Sequence, residues 1–467
     1  MEVGKGSTHF DAIVLGAGQA GPPLAVELAN AGQKVALVER KDFGGTCVNT
    51  GCIPTKTLLA NARVAHMARR AGDYGVSTGV LAVDMKKVKA RKDEVSGSSR
   101  DAVEKWLRTT PNCSVYTEHA RFVADRTIDV DGKRLSADRI FINVGGRAAI
   151  PKIDGIESVP YLTNSSMMDV DFLPPHLVIV GGSYVAIEFA QMYRRFGSRV
   201  TILQRGPRLV TREDEDVSKA MLDLLVDEQI DVRLDVQQIA VRKSGTGTGI
   251  VVETMTRDGK SELAASHLLL ATGRMPNTDD LGLENTSIER DEHGYVVVDD
   301  LLQTSTVGVW ALGDCNGRGA FTHTSYNDYE IIVANMLRGE SRRVSDRIVT
   351  YAVFTDPPLA RVGMTEADIR KANKRALVGT RAMARVGRAQ ERGETRGFLK
   401  VFVDADTKLI LGACFLGIEA DEAIHCVTDV MYSGRPYTTI THAVHIHPTV
   451  SELIPTVFEE LKPLEGT

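Results

Sequence analysis

Gly44-Gly45-Thr46-Cys47-Val48-Asn49-Thr50-Gly51-Cys52-Ile53-Pro54-Thr55-Lys56 is the stretch on which the reading of this chain turns. Two cysteines stand five apart among glycines, and an Ala-rich apolar pattern with helical spacing follows (Leu58, Leu59, Ala62, Ala65, Met67, Ala68). Proline is accommodated in a first helical turn, where its missing N–H costs nothing. Cys52 is therefore predicted at or near a helix N-terminus, where backbone N–H groups and the helix dipole favour a thiolate. Two thiols, one of them favoured as thiolate, are the apparatus of thiol–disulfide exchange. Spacing alone leaves unrelated core cysteines equally open. A plant-type iron–sulfur loop has the same gap but needs a third cysteine soon after, and the next here is Cys113.

Upstream, Phe10–Leu15 reads as a buried strand running into Gly16-Ala17-Gly18-Gln19-Ala20-Gly21 and an apolar helix from Pro22 to Ala31. A second strand, Lys34–Val38, ends in Glu39. A Gly-x-Gly-x-x-Gly between strand and helix, with an acid about twenty residues on, is the dinucleotide fingerprint. The glycines admit a pyrophosphate to the helix N-terminus, and Glu39 can hold a ribose hydroxyl.

A second such unit begins at the strand His176–Val180, followed by Gly181-Gly182-Ser183-Tyr184-Val185-Ala186, a helix through Phe196 and the strand Arg199–Leu203. Ala186 is an accepted substitute at the packing position, whereas Ser183 adds a Cβ where the second glycine would stand. The second strand ends in Gln204-Arg205-Gly206-Pro207-Arg208. No carboxylate there would repel a 2′-phosphate, and Arg205 and Arg208 can pair with one, so NADPH is expected over NADH.

Between the two units, Met67 to about Trp106 is rich in helix formers, and Val115–Asp138 reads as hairpins with a turn at Asp131-Gly132. The strands Arg139–Val144 and Leu268–Leu270 both run into glycine turns, and Val309–Leu312 runs through Gly313 to an acid, Asp314. From about Ser345 the texture becomes alternating (Tyr351–Val362, Gly397–Val403, Lys408–Gly417), as in an antiparallel α+β domain. Near its end, His447 and Glu452 have the spacing of a base and its orienting carboxylate, although a surface histidine is the commoner case.

A length of 467 residues suggests about three domains. The expected division is 1–150 with 274–344, 151–273, and 345–467. Net charge is −5 with no basic block, which argues against a nucleic-acid partner. No apolar run approaches the ~20 residues of a membrane span, and Met1–His9 lack an apolar signal core. Six cysteines are too few for a disulfide-stapled secreted chain, so a cytoplasmic location is expected.

These stretches together resemble the FAD-dependent pyridine nucleotide–disulfide oxidoreductases, the family of dihydrolipoamide dehydrogenase, glutathione reductase and mercuric reductase. The resemblance runs from Phe10 to about Leu461 and includes Phe354-Thr355-Asp356-Pro357 and Val362–Glu366 at the start of a dimerisation domain. It implies an α/β fold with two Rossmann-like domains, for FAD and NAD(P), and a C-terminal α+β dimerisation domain. Gly16, Gly18, Gly21, Glu39, Gly45, Thr46, Lys56 and Asp314 would hold FAD. Gly181, Gly182, Tyr184, Gln204, Arg205, Arg208 and Gly273 would hold NAD(P)H. Lys56 would pair with Glu188 beside the flavin, Cys52 would be the flavin-side sulfur, and Cys47 the substrate-side one. His447, oriented by Glu452, would complete the site from the other subunit of a homodimer.

The implied relay passes electrons from NAD(P)H through FAD and the Cys47–Cys52 disulfide to a small disulfide or dithiol. A metal ion, as in a mercuric or cupric reductase, is the alternative acceptor. No cysteine follows Cys426 and no metal-binding segment precedes Phe10, unlike mercuric reductase. Cys414 and Cys426 are expected to be buried structural residues. A third reading, a redox-inactive subunit of a larger complex, is opposed by the intact Cys47, Cys52, His447 and Glu452.

Overall fold

The computed structural model describes residues 7–245 and 249–465. Met1–Gly6, part of the leader reading, and Gly466–Thr467 lie outside them.

The first sheet is built around the strand Thr8–Leu15, which pairs in parallel with Val35–Val38 on one side and Lys133–Ile142 on the other. Ala12, Ile13 and Val14 are wholly buried, as expected of a central parallel strand covered on both faces. Cys113–Tyr116 closes one edge, and antiparallel Thr127–Val130 and Ala120–Ala124 extend the other. The turn at Asp131-Gly132 has φ of 50° and 76°, the pair of positive values a tight hairpin turn requires. The chain leaves this unit near Ala148 and later returns to it. Arg274–Pro276 pairs with Gly146–Ala148, and Val309–Ala311 pairs with Lys133–Ile142.

Between these points lies a second parallel sheet, ordered 231–233, 199–203, 176–180, 267–270, with an antiparallel three-stranded meander over 238–265. The third unit is a six-stranded antiparallel sheet, ordered 350–353, 359–363, 410–416, 398–404, 376–382, 462–463. The architecture is α/β, with two dinucleotide-binding units and a C-terminal α+β layer.

Three local expectations need correction. The helical run beyond Met67 is two helices, Cys52–Arg70 and Met85–Thr109; Gly75 (φ 74°) caps the short 3₁₀ turn that ends the first. Asp84 caps the second, its carboxylate accepting from the backbone N–H of Lys86 and Lys87. Tyr351–Val362 is not one strand, because Asp356-Pro357 interrupts it and proline cannot donate to a ladder. The strand Ala376–Ala382 was not anticipated, since its sequence Ala-Leu-Val-Gly-Thr-Arg-Ala has no alternation of apolar and polar residues.

Buried ionic clusters lock the three units together. Asp356 pairs with Arg63 on the helix that begins at Cys52 and with Arg195 on the helix Tyr184–Phe196. Arg361, 1% exposed, reaches Glu213 and Asp214, which Lys400 also approaches at 3.3 Å from Asp214.

Candidate active site

The cysteine stretch is pinned to the first glycine turn. Gly44 N–H donates to Ala17 O at 2.8 Å, and Gln19 Nε2 donates to Gly44 O at 3.0 Å. Gly45 has φ 59°, and a Cβ there would stand 2.8 Å from Gly18 Cα, so two glycine backbones touch where any side chain would part them. A short helix, Gly45–Asn49, carries Cys47, and Cys52 opens the helix Cys52–Arg70.

Both cysteines are half-buried thiols, and they are not equivalent. The Cys52 thiol is drawn down to about 6 by the hydrogen bond from Cys47, by Thr322 and by the Lys56 ammonium, against burial and Glu188. Cys47 is pushed well above the ordinary thiol range, because it shares its proton with Cys52 and is desolvated. Negative charge therefore rests on Cys52. Cys414 is fully buried and Cys426 partly so, and burial raises both thiols.

Lys56 Nζ lies 3.0 Å from Glu188 Oε2, and the carboxylate is almost fully buried. Its other oxygen accepts from the Phe354 N–H at 2.9 Å, and Phe354 presents its ring to Lys56 Nζ, 4.4 Å from the centroid. One turn of helix beyond Cys52 thus carries a cation held in place by a second domain and backed by a third.

The residues expected to hold FAD gather at the carboxyl ends of the first parallel sheet. A Cβ on Gly16 would fall 2.3 Å from Asn143 O, and one on Gly21 would fall 2.1 Å from Gly16 O, so neither position tolerates a side chain. Glu39 Oε2 accepts from the Ala17 N–H at 2.8 Å, which holds the carboxylate against the turn. Asp314 follows the strand Val309–Ala311. Burial raises its carboxyl, and Arg274 at 3.4 Å opposes that shift. A glycine cradle at a helix N-terminus, with acids following two strands on either side of it in the same sheet, fits a flavin dinucleotide.

A cavity of about 1440 Å³ lies over the second sheet, lined by Gly181, Gly182, Tyr184, Gln204, Arg205 and Gly273. Arg208 does not line it; its carbonyl accepts from Gln204 Nε2 at 3.2 Å. Gln204 packs onto the glycine turn so closely that a Cβ on Gly182 would meet its Cδ at 2.8 Å. Arg205 is exposed and has no carboxylate partner among the described residues. Tyr184 packs against Phe321 with ring centroids 5.7 Å apart, and Phe321 lies parallel to Tyr351 at 5.5 Å.

His447 Nδ1 and Glu452 Oε2 are 2.8 Å apart, the carboxylate largely buried and the imidazole 81% exposed. The neighbouring side chains Val444 and Ile446 are also exposed. Sequence reasoning missed several residues of the site. Thr322 Oγ1 lies 3.0 Å from Cys52 Sγ. Buried Asn143 accepts from the Gly21 N–H and donates to Leu312 O, both at 3.0 Å. Asn164 donates to Thr50 O at 3.1 Å. Each contact spans more than a hundred residues, and no local pattern announces it.

Residues 10–328 match the family described as pyridine nucleotide-disulphide oxidoreductase, and residues 349–458 match its dimerisation domain. The chain is 36% identical over 464 residues to the probable pyridine nucleotide-disulfide oxidoreductase RclA of Escherichia coli K12, covering 97% of this chain and 99% of that one. A mercuric reductase of Streptomyces lividans is 33% identical, with 96% and 95% covered. A dihydrolipoyl dehydrogenase of Thermus scotoductus is 31% identical, with 95% of each covered. Among solved structures, the HOCl-induced flavoprotein disulfide reductase RclA from Escherichia coli superimposes with a TM-score of 0.86 at 36% identity, covering 96% of this chain and 99% of that one. Its Cu(II) complex does so at 0.87 and 35%, covering 97% and 99%.

Proposed function

Since the chain belongs to the pyridine nucleotide–disulphide oxidoreductase family and so uses FAD and NAD(P)H, we propose that it is an NADPH-driven reductase whose Cys47 exchanges with an external disulfide. The observation that carries this reading is the geometry of the cysteine pair: Cys52 opens a helix, its sulfur lies 3.0 Å from Thr322 Oγ1, and one turn on Lys56 is held at 3.0 Å by Glu188. We assign 1–150 with 274–344 to the FAD unit, 151–273 to the NAD(P) unit and 345–467 to the dimerisation unit. Among the described residues, no helix is long and apolar enough to cross a membrane. The cytoplasm is the proposed location.

Bound FAD supplies two-electron transfer between the nicotinamide and the cysteine pair. Gly16, Gly18, Gly21, Glu39, Gly45, Thr46 and Asp314 would hold it. Lys56, fixed by Glu188, would supply a cation that favours the reduced form. Tyr184 would cover the nicotinamide side. In the reduced pair, Cys52 keeps the negative charge. His447 of the partner subunit takes the Cys47 proton, and the Cys47 thiolate attacks one sulfur of the acceptor, forming a mixed disulfide and expelling the first thiolate. His447 of the partner subunit protonates that thiolate. Cys52 then attacks Cys47, releasing the second thiolate and restoring the Cys47–Cys52 disulfide.

The dimerisation domain supports a homodimer. If the site is shared, His447→Ala and Cys47→Ser are each inactive alone but complement each other. In an equimolar, randomly reassorted mixture, half the dimers are mixed and each has one intact site, so activity recovers to roughly a quarter of wild type. No recovery would show that one chain supplies the whole site.

A metal-ion acceptor is the second reading. It is favoured by the solved Cu(II) complex of the RclA relative and by the mercuric reductase similarity. A panel of lipoamide, glutathione disulfide, Hg(II), Cu(II) and quinones, each with NADPH and NADH, separates the two. Turnover with a disulfide is expected, with NADPH preferred at least about tenfold because Arg205 offers a 2′-phosphate an unpaired cation. Arg205→Ala should remove most of that preference. A tenfold preference for NADH would overturn the cofactor assignment, and turnover with metal ions alone would overturn the disulfide reading.

A further inference from the structure

Thr322 opens the helix Thr322–Leu337, and its hydroxyl lies 3.0 Å from Cys52 Sγ. That hydroxyl faces the cysteine pair, within hydrogen-bond reach of Cys47 as well, and it neither caps its own helix nor bonds back to a carbonyl. A thiolate can only accept, so with Cys52 ionised the Thr322 O–H is the donor. Cys52 likewise occupies the first turn of its own helix. The sulfur therefore sits where two helix N-termini converge, one from each end of the FAD unit, and both dipoles favour negative charge there. Phe321, immediately before Thr322, is held between Tyr184 and Tyr351, which fixes the start of this helix against the wall of the nucleotide cavity.

We propose that Thr322 is a catalytic residue that donates its hydroxyl hydrogen bond to the Cys52 thiolate and keeps that sulfur ionised while Cys47 exchanges with the acceptor. This deepens the reading of Cys52 as the flavin-side sulfur and rests on it. Three other titratable groups face the same sulfur. Cys47 and Lys56 favour its charge and Glu188 opposes it; Thr322 is a neutral, non-titrating donor whose removal leaves all three of these groups in place. The assignment also gives Cys52 a donor that stays when Cys47 leaves to form the mixed disulfide. At that stage the hydrogen bond from Cys47 is lost, and the free thiolate must still wait to resolve the intermediate.

The test uses the FAD-loaded Cys47→Ser protein, in which Cys52 is the remaining sulfur of the pair. The rate of Cys52 alkylation by iodoacetamide is followed by mass spectrometry from pH 4 to 10, with and without Thr322→Val. With Thr322 present the midpoint is expected below the ordinary thiol value of 9.0, although the hydrogen bond from the Cys47 thiol is gone. Thr322→Val, which keeps the shape and removes the hydroxyl, should raise it by about one unit. Thr322→Ser, which keeps the hydroxyl, should leave it in place. An unchanged midpoint in Thr322→Val would overturn the proposal, as would an equal shift in Thr322→Ser, which would assign the effect to the methyl group. The midpoint is read without an acceptor, so it stands apart from the relay. Should Cys47→Ser retain turnover, the relay falls while the alkylation curves still judge Thr322.

Discussion

Cys47→Ser is expected to abolish acceptor reduction, with a fall of about three orders of magnitude or more in kcat. The FAD-loaded variant should still oxidise one equivalent of NADPH per site when no acceptor is present. The reason is chemical. Exchange with an external disulfide needs a sulfur nucleophile that can form and then release a mixed disulfide, and a serine hydroxyl ionises far too weakly to attack sulfur at neutral pH. Cys52 alone cannot substitute, because a single sulfur that forms a mixed disulfide has no second thiol beside it to resolve that intermediate. On the proposed assignment NADPH binds in the cavity lined by Gly181, Tyr184 and Arg205, and its oxidation does not use residue 47. Stopped-flow and steady-state assays of one preparation separate the two half-reactions. Full turnover of Cys47→Ser with disulfides and metal ions would refute the relay.

The second large effect is on assembly of the domains. Arg361 Nε donates to Glu213 at 2.7 Å and Nη2 to Asp214 at 2.9 Å, with all three side chains almost wholly buried. Arg361→Met fills a similar volume but leaves two carboxylates facing each other, with Lys400 as the remaining nearby cation. Removing one partner from a buried ionic cluster costs about 3–5 kcal/mol, because the charge left behind has lost its compensation. Urea denaturation of the FAD-loaded protein measures that loss, and a change below about 1 kcal/mol would show that the cluster directs domain docking without stabilising it. Glu213 also accepts from the Tyr351 hydroxyl at 2.5 Å, and Tyr351 stacks on Phe321. The variant should therefore raise the KM for NADPH as well.

The same cluster predicts an acid response. Burial alone would raise the Asp214 carboxyl, but Arg361 and Lys400 outweigh it and hold it below the ordinary 3.8. A carboxylate with a depressed folded-state value stabilises the protein fully above its unfolded value and loses that contribution as pH falls below it. Stability owed to Asp214 is therefore present above about pH 4 and is lost on acidification through that range.

How much of this was legible beforehand follows the range of the interactions. The strand–glycine turn–helix at Phe10–Ala31, its second copy at His176–Phe196 and the helix start at Cys52 are set by residues within about thirty positions of one another. Backbone conformation and hydrophobic period are local properties, so the chain displays them directly. The strand Ala376–Ala382 was invisible because its sheet neighbours, not its own alternation, hold it. Arg208 looked equivalent to Arg205 until the Gln204 side chain and the turn around it set which residue reaches the cavity.

Local pattern in the chain sets the parts: two dinucleotide units, a cysteine pair at a helix start, and a histidine spaced from its carboxylate. The same pattern already separates Cys52, which opens a helix, from Cys47. Packing supplies what no local pattern holds: it brings Thr322 from 270 residues away to 3.0 Å from Cys52 Sγ, and sets Lys56, braced by Glu188 and Phe354, beside the cysteine pair. Electrostatic stabilisation of a thiolate depends on distances of a few ångströms between elements far apart in the chain, and packing alone decides those distances.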